Sequence, residues 1–505
     1  MLIPEVRLWI VVLWLAFTAV WCLAQAVETT EEHAAVDVVV VLDSSGSMRH
    51  NDPDMFRVPA AKLLFSLLQI QDRVAVVSFS DQGYPVSYLT ALDGARQLKH
   101  VFAAVDKVSS KGAFTNLYGG LAAAQKVLRR DPPDDGRKRA IIFMSDGVMD
   151  VGDPERDRVL RERLMQRLLP ELRASQIEVH SIAFTEQSDV QLLENIARDT
   201  DGMYHLARND ADLHRIFADL FERLKGPNRL PMHDDALAVD DRIDTLTLLA
   251  TKNDPDTKVI LAAPDGSEYD AANRADNMQW FESPAFELVT VTKPDPGEWH
   301  LLQSDPEASA AYILSDLELA TDFDPAYLAS GQSSRLGTWM VDGHGRIADP
   351  KVLQIFAFSA HIETPDGKQQ RVDLSDNGTG ADTDAGDGVY SVGFTPYTGG
   401  RYRIRLLAKG PGFERERRLA FDVPENTVAA ADNPPSLEIQ KPEPDVSPAE
   451  AEPVSEPVKP IVPEEAPTQK SHWMSYTLIA ILVNGLLFFL GWKFLRKAPE
   501  ENVEL

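Results

Sequence analysis

A short run of apolar residues that stops at a polar cluster constrains the fold of this chain more than any other feature of the sequence. Residues 36–42 are rich in valine and are interrupted only by Asp37. A run of this length and composition is typical of a parallel strand that is buried on both faces. The polar cluster Asp43-Ser44-Ser45-Gly46-Ser47 follows immediately. Open α/β sheets place their binding sites beyond the carboxyl ends of such strands, so this cluster is a candidate site.

The spacing of the residues within the cluster favours the binding of a cation. Asp43, Ser45 and Ser47 alternate with the other two residues, so three oxygen-bearing side chains can converge on one point. Carboxylate and hydroxyl oxygens, together with water, are the ligands that Mg²⁺ prefers. The alternative interpretation is structural, with Asp43 as a helix N-cap and the two serines in a polar turn.

Two further segments complete a pattern that resembles a known family. Asp-x-Ser-x-Ser at the end of a first strand is similar to the metal-ion-dependent adhesion site of von Willebrand factor A (VWA) domains. Thr115, within residues 112–117, resembles the threonine loop of that family, and Gly112 is expected to help this loop approach the site. Asp146 ends a second apolar strand within residues 141–147, which is the third element of the family pattern. The resemblance covers roughly residues 35–226.

The resemblance implies a role for each matching side chain. Ser45, Ser47 and Thr115 are expected to bind the metal through their hydroxyl oxygens. Asp43 and Asp146 are expected to hold coordinated waters or to bind directly. The implied cofactor is Mg²⁺ or Mn²⁺. An ion with few directly bound negative ligands retains affinity for an incoming carboxylate, so the implied partner is a protein that presents Asp or Glu.

The wider pattern predicts an α/β domain followed by all-β modules. Residues 35–226 alternate strands with helices, which favours a doubly wound, Rossmann-like sheet covered on both faces. From about 234 to 424 the strands are short and turn signals recur. Residues 234–320 resemble the β-sandwich that follows VWA domains in bacterial and chloride-channel-accessory-type proteins. Residues 325–424 resemble the immunoglobulin-like (Ig-like) modules of bacterial surface proteins.

A second cation site is a less specific prediction. Residues 376–388 combine carboxylates with glycines, a composition that suits a Ca²⁺ loop. The order departs from the EF-hand pattern, because Gly386 stands where a third Asp or Asn belongs and no Glu follows at the bidentate position. The favoured alternative is a turn-rich hairpin connection in which Asp side chains cap backbone amides.

The flanking segments predict export and anchoring. Residues 1–26 have the apolar core and the Ala-Gln-Ala end of a signal peptide, with an uncleaved membrane anchor as the alternative. Residues 427–470 are rich in Pro and Glu and predict a disordered stalk. Residues 476–492 predict a transmembrane helix, and the basic residues after it predict a cytoplasmic tail at 493–505. The predicted localisation is therefore a single-pass membrane protein, with its bulk periplasmic or at the cell surface.

Composition excludes several functions. The formal net charge of −28 argues against a nucleic-acid partner, because phosphates would be repelled. The only cysteine, Cys22, lies in the predicted signal peptide, so no disulfide is expected in the mature protein, and this favours a bacterial source. No His-Glu-x-x-His, Gly-x-Ser-x-Gly or phosphate-loop motif occurs in the sequence, so no enzymatic activity is predicted.

The predicted function is cation-dependent adhesion, in which the metal binds an acidic residue of a protein partner. One alternative is a subunit of an envelope assembly or maturation complex that works with a MoxR-type ATPase, as some bacterial VWA proteins do. A short cytoplasmic tail weakens that alternative. Another alternative is a hydrolase in the β region, which would need a catalytic motif that the sequence lacks.

Overall fold

A mixed sheet flanked by helices forms the first part of the chain. The computed structural model describes residues 35–130, 136–186, 188–325, 328–424 and 438–440. The strands of the first sheet are β1 (Val36–Asp43), β2 (Arg73–Phe79), β3 (Gly83–Pro85), β4 (Thr90–Ala91), β5 (Lys138–Ser145), β6 (Ile177–Ala183) and β7 (Tyr204–Leu206). Their order is β3-β2-β1-β5-β6-β7, with β4 also paired to β2. Strands β1, β2, β5, β6 and β7 are parallel, and β3 and β4 run antiparallel to β2.

Helices cover both faces of this sheet. They are α1 (Met48–Asn51), α2 (Arg57–Leu67), α3 (Ala95–Val105), α4 (Leu117–Arg130), α5 (Pro154–Arg163), α6 (Leu169–Ala174), α7 (Val190–Asp199) and α8 (Asp210–Lys225), and a π-helical turn, Leu164–Leu168, joins α5 to α6. Every residue of β1 is buried. Val38 and Val40 pack with α2, α3 and α8 on one face, whereas Val39 and Val41 pack with α4 and α7 on the other. The predicted α/β fold is confirmed for this part of the chain.

Strand order brings the predicted site residues to one edge. Strand β1 lies between β2 and β5, with Asp43 beside Phe79 and Leu42 beside Met144. Because the three strands are parallel, their carboxyl ends lie at the same edge of the sheet. The loops that follow β1 and β5 therefore start next to each other.

Antiparallel strands form the rest of the described chain. They are β8 (Asn228–Leu230), β9 (Ala236–Val239), β10 (Ile243–Thr251), β11 (Ile260–Ala262), β12 (Glu268–Tyr269), β13 (Met278–Glu282), β14 (Phe286–Thr292), β15 (Gly297–Leu302), β16 (Ala310–Ser315), β17 (Glu318–Thr321), β18 (Ser334–Asp342), β19 (Gly345–Arg346), β20 (Ala357–Glu363), β21 (Gln369–Asp373), β22 (Tyr390–Thr395), β23 (Gly400–Gly410), β24 (Phe413–Val423) and β25 (Glu438–Gln440), with one short helix, α9 (Pro350–Leu353). The predicted all-β character is confirmed for this part.

One sheet runs through both predicted β modules. Its nine strands have the order β13-β14-β10-β16-β8-β24-β23-β20-β21. Strand β8 pairs with β16 on one side and, through Arg229 and Glu416, with β24 on the other. The buried Arg415 of β24 donates to Asp240 at 2.6 Å and to the backbone oxygen of Leu317 at 2.9 Å. The two β regions are therefore joined by backbone pairing and by a buried ion pair.

Helix α8 packs the first part of the chain against this sheet. The rings of Phe221 and Tyr312 meet edge to face, with centroids 5.0 Å apart. Glu222 accepts hydrogen bonds from Arg229 at 2.6 Å and from the Tyr312 hydroxyl at 3.1 Å. At the end of the helix, buried Lys225 pairs with buried Asp72 at 2.9 Å.

The structure corrects the predicted localisation. Within the described ranges, no helix has both the length and the apolar character needed to cross a bilayer. This finding contradicts the predicted single-pass membrane protein. Residues 1–26, 476–492 and 493–505, on which the predicted export signal, span and tail depend, lie outside the described residues.

The predicted disordered stalk also needs a correction. Most of residues 427–470 lie outside the described residues, but Glu438–Gln440 form strand β25. This strand pairs with β22, and Ile439 lies opposite Phe394.

Candidate metal centre

Two loops meet at the carboxyl edge of β1. Residues 44–47 leave the strand and lead directly into helix α1. The loop that carries Thr115 is attached to them by a backbone bridge, in which the amide of Gly112 donates to the Ser44 oxygen at 2.8 Å. A Cβ atom added at Gly112 would lie 2.0 Å from Ser80 Oγ, so only glycine permits this approach. The close contact places the two predicted metal-binding loops side by side.

Hydroxyl and carboxylate oxygens form a chain across the edge. Ser45 Oγ lies 3.0 Å from Ser47 Oγ, and Ser47 Oγ donates to Asp146 Oδ1 at 2.9 Å. The second oxygen of Asp146 accepts a hydrogen bond from Asn51 Nδ2 at 2.9 Å. Ser45 and Asp146 are buried, whereas Ser47 is exposed. The chain of oxygens therefore reaches from the sheet edge to solvent.

Asp43 lies beneath this chain and has no exposed surface. Its Oδ1 accepts from the Ser45 amide at 2.7 Å, and its Oδ2 accepts from Ser145 Oγ at 2.7 Å. Burial, together with the neighbouring charge of Asp146, raises the pKa of Asp43 from 3.8 to about 6, and the hydrogen bonds from Ser45 and Ser145 only partly oppose this rise. Two carboxylates thus share a site in which negative charge is unfavourable.

Thr115 is buried against the loop that carries Asp146. The amide of Thr115 donates to the Asp150 oxygen at 2.8 Å, and the Asp150 amide donates back at 3.0 Å. A Cβ atom added at Gly147 would lie 3.3 Å from Thr115 Oγ1, which puts this hydroxyl next to the residue that follows Asp146. All five residues predicted as metal ligands therefore lie at one edge of the sheet.

The donor set fits the predicted cation. Three hydroxyls and two carboxylates are hard oxygen ligands of the kind that Mg²⁺ and Mn²⁺ take. Burial and the nearby charge of Asp146 both disfavour the ionised form of Asp43 and raise its pKa. A divalent cation would supply a compensating positive charge.

A buried ion pair supports the two loops and was not predicted. The Arg57 side chain has no exposed surface, and it pairs with buried Asp52. Its Nη2 also donates to Ser110 Oγ at 2.8 Å and to the Ser109 oxygen at 3.3 Å, in the stem of the threonine loop. The polar residues after the cluster favour a solvated loop for Asp52, with a role at the rim of the site as the alternative, but its side chain is buried. Asp52 instead fixes the turn after α1, where it accepts the Phe56 amide at 2.6 Å.

Asn51 is a further site residue that the sequence pattern missed. It is the last residue of α1, and its side chain restrains the Asp146 carboxylate as described above. Its neighbours His50 and Asp54 are exposed. Asp153, at the far side of the site, caps helix α5 by accepting the Glu155 amide at 3.0 Å.

The second acidic segment also gathers its side chains. Carboxylate oxygens of Asp376, Asp382 and Asp387 all lie within 4.8 Å of one another. Asp376 accepts backbone amides of Gly386 at 2.6 Å and Gly388 at 2.9 Å, while Asp382 accepts that of Gly378 at 2.6 Å. These contacts are the backbone capping that the favoured alternative predicts. Ca²⁺ binding by this segment stays a prediction.

Comparison with known families identifies two parts of the chain. Residues 37–219 match the family described as von Willebrand factor type A domain. The chain carries a VWA domain. Residues 337–416 match a family described as conditioned medium factor 2nd Ig-like domain, so an Ig-like domain follows the VWA domain. The predicted succession of these two domain types is confirmed.

Similar curated proteins are regulators of a chloride channel by name. The chain is 26% identical over 413 residues to calcium-activated chloride channel regulator 1 of Equus caballus, covering 76% of this chain and 42% of that protein. It is 23% identical over 441 residues to calcium-activated chloride channel regulator 4 of Homo sapiens, covering 78% and 43%. The chain thus spans about two fifths of the length of the curated relatives it matches. These relatives are mammalian, and a bacterial source stays a prediction.

Among solved structures, a von Willebrand factor type A protein from Catenulispora acidiphila is similar. It is 17% identical and covers 62% of this chain and 64% of its own, with a TM-score of 0.32. A score at this level adds nothing to the family match.

Proposed function

We propose that the VWA domain binds a protein partner through a divalent cation held by Asp43, Ser45, Ser47, Thr115 and Asp146. The observation that supports this proposal is the convergence of these oxygens at one sheet edge, where the hydrogen-bonded chain Ser45–Ser47–Asp146 reaches solvent at Ser47 above buried Asp43. When bound, the cation supplies an electrophilic position for a carboxylate of the partner.

The chain's own residues explain why the site favours an outside ligand. Asp43 already accepts two hydrogen bonds, and both oxygens of Asp146 accept hydrogen bonds from Ser47 and Asn51. These contacts hold the two carboxylates in place and share their charge. Hydroxyl oxygens carry no charge, so they leave a divalent cation with affinity for one more anionic oxygen. We therefore infer an interaction role rather than a catalytic one.

The test separates metal binding from partner binding. Binding of Mn²⁺ to the full chain is measured by electron paramagnetic resonance, with Mg²⁺ as competitor. We expect one competed ion, strongly weakened by Thr115→Ala. Ser78→Ala is the matched control, because Ser78 lies at the same edge but outside the predicted ligand set. Equal Mn²⁺ binding by the Thr115 variant and the control would remove Thr115 from the site.

Partner binding is then measured with a labelled peptide that carries a single Glu. We expect binding in Mg²⁺, loss of binding in EDTA, and loss of binding with Asp43→Ala. Binding that persists under all three conditions contradicts metal-mediated recognition.

A further inference from the structure

An asparagine followed by glycine lies in the loop between β21 and β22. Among the described residues, Asn377-Gly378 is the only place where glycine follows asparagine. Asn377, Gly378 and Thr379 are all exposed. Gly378 adopts a φ of +70°, and it has no side chain that would shield its amide nitrogen. The backbone nitrogen after an asparagine can attack the asparagine side chain within the same chain, so this pair is a candidate site for a spontaneous covalent change.

The side chain of Asn377 is held as the electrophile of that reaction. Its Oδ1 accepts hydrogen bonds from Thr379 Oγ1 at 2.7 Å and from the Thr379 amide at 3.1 Å. Both donors face the oxygen on which negative charge develops when a nucleophile adds to Cγ. Paired donors of this kind stabilise the oxyanion in acyl transfer. The two contacts from Thr379 therefore favour attack on Asn377.

A carboxylate lies next to the proton that the nucleophile must lose. The Gly378 amide donates to Asp382 Oδ2 at 2.6 Å. Asp382 is only 4% exposed, so this carboxylate is fixed within the loop and is not a freely moving surface group. A general base must lie within about 2.6–3.2 Å of the group whose proton it removes, and Asp382 meets this condition.

We propose that this loop promotes the spontaneous deamidation of Asn377, with Asp382 as the base and Thr379 as the oxyanion donor. The Gly378 nitrogen forms a bond to Asn377 Cγ and gives its proton to Asp382. The bond between Cγ and Nδ2 then breaks, and the proton passes to the departing nitrogen, which leaves as ammonia. A cyclic succinimide remains, and water opens it at either carbonyl to give aspartate or isoaspartate at position 377.

The products change the loop permanently. Either product adds a carboxylate next to Asp376, whose own carboxylate caps the amides of Gly386 and Gly388. Isoaspartate also lengthens the main chain by one atom before Gly378. Because ammonia is lost, the step is not reversed, and the converted fraction records how long a molecule has been folded. The loop lies within the Ig-like domain, so this inference does not depend on cation binding by the VWA domain.

The test follows the full chain over time at neutral pH and constant temperature. Samples are digested at mildly acidic pH, where succinimide formation is slow, and chromatography with mass spectrometry gives the fraction of Asn377 that is converted. The reference is the same chain unfolded in guanidinium chloride, which keeps the Asn-Gly pair but loses the contacts of the loop. We expect conversion about 10-fold faster or more in the folded chain, because only the folded loop positions the base and the donors. Asn273, which is exposed and followed by Arg274, is the internal control and is expected to convert slowly in both states.

Three variants test the assigned roles. Asp382→Asn removes the base, and Thr379→Val removes an exposed hydroxyl while keeping the shape of the side chain. We expect both variants to lose most of the acceleration, whereas Thr379→Ser, which keeps the hydroxyl, is expected to keep it. Asp384→Asn is the matched control, because Asp384 is exposed and accepts from Thr383 Oγ1 rather than from the Gly378 amide. This control is expected to convert at the rate of the wild type.

The opposite result is equally specific. Slower conversion in the folded chain than in the unfolded chain overturns the proposal, because Asp382 then restrains the Gly378 amide instead of activating it. Faster conversion in Asp382→Asn than in the wild type overturns it for the same reason. If calorimetry shows that Asp382→Asn unfolds the Ig-like domain, the two variants of Thr379 decide the outcome. Equal rates in Thr379→Val and Thr379→Ser then overturn the proposal, and a loss of rate only in Thr379→Val supports it.

Discussion

Replacing Asp43 by asparagine is expected to stabilise the metal-free protein. Folding raises the pKa of Asp43 to about 6 through burial and the charge of Asp146. The folded chain therefore holds this proton more tightly than the unfolded chain. The stability that the protonated Asp43 carboxyl contributes is fully present below its pKa in the unfolded chain. It is lost as the pH rises through its pKa in the folded chain. The pKa of Asp43 rises by about two units on folding, and this rise corresponds to about 3 kcal/mol of stability that is lost above pH 6.

The amide side chain of the Asp43→Asn variant would keep hydrogen bonds with Ser45 and Ser145 without the charge. In EDTA, we expect this variant to be more stable than the wild type at neutral pH. The difference in the free energy of unfolding between the variant and the wild type is expected to grow by about 2 kcal/mol between about pH 4.5 and about pH 7.5. The assay is calorimetric unfolding of the full chain, in which 1 kcal/mol shifts the midpoint of a domain this size by about 2–4 °C. Asp150→Asn is the control, because Asp150 is an exposed neighbour of the site, and we expect it to change the unfolding midpoint little.

Metal should largely remove this difference in stability. At about 100 times the dissociation constant, Mg²⁺ adds about 2.7 kcal/mol to the wild type. The variant is expected to gain far less, because the proposed site has lost a carboxylate. If Asp43→Asn is instead less stable than the wild type in EDTA, by an amount that does not change with pH, then Asp43 is an ordinary structural acceptor and the reasoning from its burial is refuted.

Two further predictions concern the support of the site. Arg57→Met leaves buried Asp52 without its partner, so we expect a loss of about 3–5 kcal/mol in calorimetry. Adding Asp52→Asn to this variant is expected to restore part of that loss, and no restoration argues against the ion pair as the cause. Gly112→Ala forces the threonine loop away from Ser80, so Mn²⁺ affinity is expected to fall about 10-fold or more, as a misplacement of roughly 1 Å can cause. Gly343→Ala, where an added Cβ meets nothing within 4 Å, is the control, and equal Mn²⁺ binding by both variants contradicts this account.

The local pattern predicted the strand end and the cluster of Asp43, Ser45 and Ser47, whereas Thr115 and Asp146 were expected only from the family resemblance. The valine run and the polar residues after it are encoded within a dozen positions, and strand order then places them together. Asn51 was missed because its partner, Asp146, is 95 positions away in the sequence. The burial of Asp52 was missed as well, because its partner Arg57 is held in place by Ser109 and Ser110, which lie far along the chain.

The pairing that joins the two β regions also could not be predicted from local sequence patterns. Residues 234–320 and 325–424 were predicted as separate modules from their turn signals. The pairing of β8 with both β16 and β24 depends on strands that are far apart along the chain. Backbone pairing of this kind depends on register and tertiary packing and leaves little trace in a single sequence.

The position of β24 determines how the described chain carries a load. This strand is the last one before residue 424, yet it returns to lie beside β8, which directly follows α8 of the VWA domain. Tension applied at residue 424 would enter β24, which pairs with β8 through Glu416 and Arg229, directly after the VWA domain. The shortest path between the VWA domain and residue 424 therefore crosses this one pairing and bypasses most of both β regions.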